Sequence, residues 1–478
     1  MLLTNVLDKR NTIELMKPNS IQEKVRHEIN ELTQKKRKDM LHEERVRLLQ
    51  LKLYLKAKQE SGYKFYILYD KIFQKHVLSE AYKRSKKKNG APGIDKQTFA
   101  DIEKYGRIKF LAEISEELRA RTYKPQAVRR VWIEKENGGE RPLGIPTIKD
   151  RVVQQACKIV IEPIFEADFD NSSYGFRPKR SAKGAISEIL DKLKQGNQTV
   201  YDADLSKYFD TIPHDRLETA LKERIADPRV LHLINSWLKV PIVEKDGKYT
   251  GGKSNTKGTP QGGVISPLLA NIYMNLLDRI INNLQGEFSR RGITMIRYAD
   301  DFILMSKHIN QEVINKVHNY LDRMGLTINT EKSKLINARE ESFDFLGFRV
   351  RYDRSIFSKR GRFWNIQPKP KSQKKIRQKI NLKLKSIGHY PAYGVVSELN
   401  PIIRGWMNYY RIEKVSYTQV AFRELESYLR NRLHRYYNRK SQRKSRLYKQ
   451  QAFNKLVKEY GLIKPYVTSG LRPVNTIR

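Results

Sequence analysis

Two adjacent aspartates, Asp300 and Asp301, sit in Arg297-Tyr298-Ala299-Asp300-Asp301-Phe302, between apolar strand patterns at 293–296 and 302–305. That pattern puts the pair at the tip of a hairpin. Adjacent acids crowd like charge, and where apolar strands bury the turn, a divalent cation is the expected neutraliser. A second acidic strand, Val200-Tyr201-Asp202-Ala203-Asp204, runs into Leu205-Ser206-Lys207-Tyr208-Phe209-Asp210 and offers a third carboxylate, from Asp202 or Asp204. Acids of this kind can hold two magnesium ions roughly 4 Å apart, activating a 3′-hydroxyl and stabilising a leaving pyrophosphate. Phosphoryl transfer asks a protein for positioning and charge neutralisation more than covalent chemistry, so a few carboxylates and nearby cations suffice for nucleotide polymerisation.

Such acids need a rigid frame. Strand patterns at 199–204, 293–304 and 343–350 flank helical ones at 266–284 and 310–324, the order of an antiparallel sheet backed by helices. Upstream, residues 61–198 alternate helical segments with strand-like pieces such as Ala127-Val128-Arg129-Arg130-Val131-Trp132-Ile133, punctuated by Gly138-Gly139 and Pro142. From Lys369 the strand signal stops. A helix is expected over 372–386, then one carrying Val395, Val396, Leu399, Ile402, Ile403 and Trp406 on one face, with Asn400-Pro401 as a helix start or a kink. Residues 21–60 hold Val46, Leu49, Leu51, Leu53 and Leu55 among dense charge, with no Gly or Pro to stop a helix. They read as a basic helical extension.

The chain has 478 residues, 94 of them Lys or Arg against 52 Asp or Glu, a net +42 that calls for a polyanionic partner. Residues 430–449 interleave nine Lys or Arg with Tyr436, Tyr437 and Tyr448, which suits backbone tracking and base stacking. Arg430, Arg432, Arg435, Arg439 and Lys440 are the candidate nucleic-acid contacts there. The single cysteine, Cys157, excludes internal disulfides and four-cysteine zinc sites. Asp8, Lys9, Arg10 and Glu14 break up the first apolar residues, so no secretory signal is expected. Ser266, Pro267, Asn271 and Asn275 likewise interrupt the apolar stretch 263–277, and no membrane partner is expected.

An ordered set of motifs adds a family resemblance. Tyr298-Ala299-Asp300-Asp301 resembles the YxDD signature of reverse transcriptases, and Asp204 followed five residues later by Phe209 resembles their first catalytic motif. Asn89-Gly90-Ala91-Pro92-Gly93-Ile94-Asp95, Arg141-Pro142-Leu143-Gly144-Ile145-Pro146 and Ser173-Tyr174-Gly175-Phe176-Arg177-Pro178 are similar, in order, to blocks of group II intron reverse transcriptases. So are Gly258-Thr259-Pro260-Gln261-Gly262-Gly263-Val264-Ile265-Ser266-Pro267-Leu268 and Phe345-Leu346-Gly347-Phe348. Gly405-Trp406-Met407-Asn408-Tyr409-Tyr410 is similar to the signature of their maturase thumb.

The resemblance implies an α+β right-hand polymerase fold with basic helical extensions: an extension at 1–60, fingers 61–198, palm 199–368 with an antiparallel sheet, a helical thumb 369–428, and a basic DNA-binding segment 429–478. It implies that Asp204, Asp300 and Asp301 are catalytic and hold two Mg2+ with the Leu205 carbonyl, Asp202 being the rival for the first position. Lys135, Arg141, Phe209 and Gln261 would bind the nucleotide, Phe209 as steric gate, and Lys332 could protonate pyrophosphate. The implied activity is RNA-directed DNA synthesis joined to binding, splicing and retrotransposition of a parent group II intron RNA. Partners would be that RNA, a DNA target and primer, and dNTPs, in a bacterial cytoplasm near the nucleoid. An intron-free reverse transcriptase serving defence or repair, and a non-catalytic RNA chaperone, stay open as alternatives. With Cys157 the single cysteine and His434 the last histidine, a His-Asn-His endonuclease is not expected.

Overall fold

A computed structural model describes residues 18–34, 40–134, 138–355, 361–438 and 445–466. In chain order its strands are β1 (Val128–Glu134), β2 (Glu140–Ile145), β3 (Thr199–Ala203), β4 (Pro241–Val243), β5 (Tyr249–Gly251), β6 (Thr294–Tyr298), β7 (Asp301–Ser306), β8 (Lys334–Asn337), β9 (Phe343–Phe345), β10 (Phe348–Arg354) and β11 (Arg362–Pro368). They form three sheets, in the orders β2-β1-β4-β5, β6-β7-β3-β8 and β11-β10-β9. The expected mixture of helix and sheet is present. The second sheet is antiparallel throughout.

Period-two alternation makes that sheet a wall between two cores. Tyr201, Ala203, Met295, Phe302 and Leu304 enter one cluster, while Val200, Ile296, Ile303 and Met305 enter another. The first cluster is continuous from Val46 to Ile328, so residues on both sides of position 198 share it. Its spine is the helix Ile148–Glu166, which buries residues around almost its whole circumference, as an internal helix should. Asp150 survives inside by accepting hydrogen bonds from Tyr123 Oη at 2.6 Å and Thr147 Oγ1 at 2.7 Å.

The region expected to be one basic extension contains two helices, Pro18–Gln34 and His42–Gln59. The second buries Val46, Leu53 and Ala57, spaced seven and four residues apart, against the first core, with Leu49 only flanking it. It packs on the helices Ile148–Glu166 and Lys75–Lys88. Its end is locked by Arg224, whose buried guanidinium donates to the carbonyls of Ala57 (2.6 Å), Glu60 (2.9 Å), Ser61 (2.7 Å) and Tyr63 (3.0 Å). Asp168 neutralises the same guanidinium at 2.6 and 3.0 Å. One cation thereby satisfies carbonyls that the helix end leaves unpaired.

After β11, the helices Pro370–Ser386, Ala392–Tyr410, Gln419–Tyr437 and Ala452–Tyr460 surround a third core. Val395, Val396, Leu399 and Ile403 face it as expected. Asn400-Pro401 does not start a helix: Pro401 lies inside Ala392–Tyr410. The Asn400 amide instead reaches out, donating to Gly461 O at 2.9 Å and accepting the Ile463 N–H at 2.9 Å. The boundary expected after residue 428 falls within Gln419–Tyr437, whose Leu429, Leu433 and Tyr437 pack with Leu447, Phe453 and Leu456. Among the described residues no helix is long and apolar enough to cross a membrane.

Candidate active site

The acids meet because of strand register. β3 pairs with β7 so that Ala203 faces Phe302, and one step further brings Asp204 level with Asp301. β6 pairs Tyr298 with Asp301, leaving Ala299 and Asp300 as the two-residue turn. Ala299 takes φ = +60°, an uncommon state for a residue with a side chain. The hairpin tip is not buried as the flanking apolar strands suggest. Phe302 to Met305 are buried, but Asp301 is exposed and Asp300 half-buried. The charged end of the sheet projects past its apolar body, which spares the carboxylates full desolvation.

Crowding still marks these acids. Although its surface is open, the protein atoms crowded round the Asp301 carboxyl partly desolvate it, and that, then the charges of Asp300, Asp204 and Asp202, push it up to about 7. Burial followed by Asp204 and Asp344 pushes Asp202 up to about 6. Asp300 is raised by burial, with Arg141 opposing and Asp204 adding to the rise. Asp301 feels Asp204 ahead of Asp202, which favours Asp204 as the third member of the set. Lys332 lies beside it, Nζ 3.2 Å from Asp204 Oδ2. The same segment donates Ser333 Oγ as acceptor for the Asp204 N–H at 3.1 Å, while the Asp204 carbonyl accepts the Asn329 N–H at 2.8 Å.

The donor set is hard oxygen, which suits Mg2+ or Mn2+ rather than a soft metal. Among the described residues no three Asp, Glu, His or Cys side chains yet converge closely enough to hold an ion. Leu205 bridges Ile328; the flanking bonds, from Ser206 N–H to Thr327 O at 2.9 Å and from Asn329 N–H to Asp204 O, leave its own carbonyl outside that ladder.

The nucleotide candidates gather around one loop. Arg141 is exposed on β2, close enough to act on Asp300. Gln261 donates its side-chain amide to both Asp210 oxygens, at 2.9 and 3.0 Å, and its backbone carbonyl accepts the Gly144 N–H at 2.5 Å. Gly262, at φ = +111°, packs so tightly on the Gly144 carbonyl that a side chain there would collide with it. Phe209 is half-buried on the first core, and its carbonyl accepts the Thr259 N–H at 2.7 Å. One loop thus ties the strand of Arg141 to the short helix of Phe209. Asp210 was missed by sequence reasoning; its signal was an acid next to Phe209 facing an amide across a glycine-rich loop. Lys135 lies outside the described residues.

The basic tail differs more. Arg430 pairs with Glu426 at 2.7 Å, donates to Asn454 Oδ1 at 2.7 Å and lies over Phe453 at 4.3 Å. Arg432 is half-buried and Arg435 exposed, while Arg439 and Lys440 lie outside the described residues. Tyr436 donates to the Ile387 carbonyl at 2.8 Å and Tyr437 is buried in the third core. Neither tyrosine is a free stacking platform, because the helix turns both rings into its own core.

Residues 133–350 match the family described as reverse transcriptase (RNA-dependent DNA polymerase), and residues 373–456 match the maturase-specific domain of group II introns. The chain is 34% identical over 322 residues to Protein YkfC of Escherichia coli (strain K12), covering 60% of this chain and 83% of that protein. It is 29% identical over 386 residues to the group II intron-encoded protein LtrA of Lactococcus lactis subsp. cremoris, 63% of each. An uncharacterized 91 kDa protein in the cob intron of Schizosaccharomyces pombe is 29% identical over 373 residues, 63% of this chain and 46% of that one. The chain therefore spans less than two thirds of the last two relatives.

Proposed function

The chain belongs to the reverse transcriptase (RNA-dependent DNA polymerase) family and carries the maturase-specific domain of group II introns, and from that premise we propose that it copies RNA into DNA while serving its parent intron RNA in splicing and retrotransposition. The observation that carries the catalytic half is the meeting of Asp204 with Asp300 and Asp301 at one end of one sheet, beneath Arg141. Three acids massed there without a cation would only destabilise the fold, which disfavours a non-catalytic chaperone. The maturase-specific match favours an intron-bound role over an intron-free one.

In this reading the chain is a right hand, with fingers at 61–198, palm at 199–368 and a helical thumb beyond. Asp204, Asp300 and Asp301, with the Leu205 carbonyl, would hold two Mg2+, which when bound would supply activation of the primer 3′-hydroxyl and neutralisation of the departing pyrophosphate. Arg141 and Lys135 grip the triphosphate by charge-assisted hydrogen bonds. Gln261, braced by Asp210, lines the pocket, and the Phe209 ring excludes a 2′-hydroxyl. Lys332, already beside Asp204, is placed to deliver a proton to the leaving group. The basic surface holds intron RNA and the DNA target through phosphate contacts. The test is extension of a DNA primer on an RNA template with Mg2+, alongside sequencing of the RNA that copurifies. Extension abolished by Asp300→Ala, and an intron RNA in the preparation, are the expected results; no extension by the wild type would overturn the proposal.

A further inference from the structure

The hairpin that carries Asp300 and Asp301 is held from behind by charge. Arg297, at the end of β6, is 1% exposed, and Asp278, on the helix Ser266–Ile281, is also 1% exposed. Their ion pair is bidentate, Arg297 Nε to Asp278 Oδ1 at 2.8 Å and Nη2 to Oδ2 at 2.5 Å. The remaining nitrogen, Nη1, does something unusual for a structural pair: it donates to the carbonyl of Ala299, two residues along its own chain, at 2.8 Å. It also donates to Asn271 Oδ1 at 3.0 Å, and the Asn271 amide donates in turn to the Gly175 carbonyl at 2.7 Å.

Gly175 closes the arrangement from the other side. Its segment runs beside β6, with the Tyr174 N–H donating to Arg297 O at 2.8 Å and the Arg297 N–H to Ser172 O at 2.9 Å. A methyl group on Gly175 would fall 2.8 Å from the Tyr298 carbonyl carbon and closer still to the Ala299 nitrogen. Ala299 is therefore trapped between a hydrogen bond on its carbonyl and a glycine against its nitrogen. That trap accounts for a left-handed conformation that a non-glycine residue adopts only when its surroundings demand it.

A solvent-free interior is a poor place for an ion pair whose purpose is stability alone, since the cost of desolvating both charges about cancels their attraction. Geometry is what this pair supplies, because the fork of a guanidinium fixes direction where an ammonium does not. We propose that Arg297, oriented by Asp278 and Asn271, is a positioning residue that sets the Ala299 turn and thereby the separation between Asp204 and the pair Asp300 and Asp301, so that it governs divalent-cation affinity without touching the cation. The block Ser173-Tyr174-Gly175 serves the same end by bracing the turn from behind.

The inference rests on the proposed metal-dependent polymerase reading, and the experiment separates the two. Asp278→Asn keeps the shape and removes the charge, Arg297→Lys keeps the charge and removes the fork, the milder Asn271→Ala removes one partner of the fork, and Gly175→Ala forces a methyl against the turn from its other side. Two readouts are taken on folded protein: the Mg2+ concentration giving half of the Mg2+-induced thermal stabilisation, and kcat and KM for dNTP in primer extension. The expected result is a rise of at least about tenfold in the Mg2+ midpoint and a comparable fall in kcat at saturating dNTP, with KM little changed. Asn271→Ala follows the same pattern even if the ion-pair variants and Gly175→Ala do not fold. A lower melting temperature with unchanged Mg2+ midpoint and unchanged kcat in the variants that fold would mean a merely structural role and overturn the inference. If Asp300→Ala abolishes extension while these variants leave the midpoint alone, the polymerase reading stands and this one fails. If the wild type shows neither extension nor Mg2+ stabilisation, both fall.

Discussion

Replacing Asp301 by asparagine should stabilise the metal-free protein while destroying its chemistry. The carboxyl is pushed from its usual 3.8 up to about 7 by burial and by Asp300, Asp204 and Asp202. A carboxyl raised in the folded state is one whose protonated form the fold prefers. Its contribution is therefore fully present below about pH 4 and lost as pH rises through 7. Three units at about 1.4 kcal/mol each set an upper bound of about 4 kcal/mol. Asp301 also faces open water, and solvent screening reduces that to about 1–2 kcal/mol. If the surrounding unit of about 150–250 residues melts together, the shift is about 2–8 °C. The assay is thermal unfolding of wild type and Asp301→Asn in EDTA at pH 8 and at pH 4.5. The variant should melt higher at pH 8, with most of that gain gone at pH 4.5. Mg2+ at pH 8 should stabilise the wild type and do little for the variant, which should not extend a primer. Equal melting at pH 8, or a gain that persists undiminished at pH 4.5, would refute the electrostatic argument.

Asp300→Ala should abolish primer extension while leaving RNA binding within about twofold, since affinity is spread over many phosphate contacts; loss of both in a filter-binding assay would contradict this. Phe209→Ala should admit ribonucleotides, read by competition between rNTP and dNTP, and unchanged selectivity would remove the steric-gate role. Arg224→Ala should cost about 3–5 kcal/mol, because it strands the buried side of Asp168 and frees four carbonyls at once; a loss under 1 kcal/mol in urea unfolding would mean that water replaces the guanidinium. Truncation after residue 429 should unfold the third core, since Leu433, Tyr437, Phe453 and Leu456 leave with it, and a truncated protein that keeps its helical circular dichroism would show otherwise.

What the sequence revealed most readily was local. The YxDD hairpin and β3 announce themselves through acids set in short apolar alternations, and the structure places them side by side. Register did the rest, and register is legible because a one-residue slip would turn every side chain to the wrong face. The supports behind the site were illegible for a physical reason. Arg297 finds Asp278 19 residues upstream and Arg224 reaches carbonyls more than 160 residues away, and no periodicity encodes such a meeting. The packing face of the tail left a signal as well. Leu425, Leu429, Leu433 and Tyr437 recur every fourth residue, the stripe of a helix facing a core, but the lysines and arginines between them drew attention to the solvent side.

The clamp of Arg224 on the end of His42–Gln59 also sets an order of events during synthesis. Arg224 follows Ala57 by 167 residues, a delay of roughly 10–30 s at ordinary elongation rates. Until then the last carbonyls of that helix lack their clamp, although Lys75–Lys88 and Ile148–Glu166 have already emerged to cover its apolar face. Slow codons between positions 60 and 224 would therefore lengthen the interval in which the end of that helix is held by packing alone.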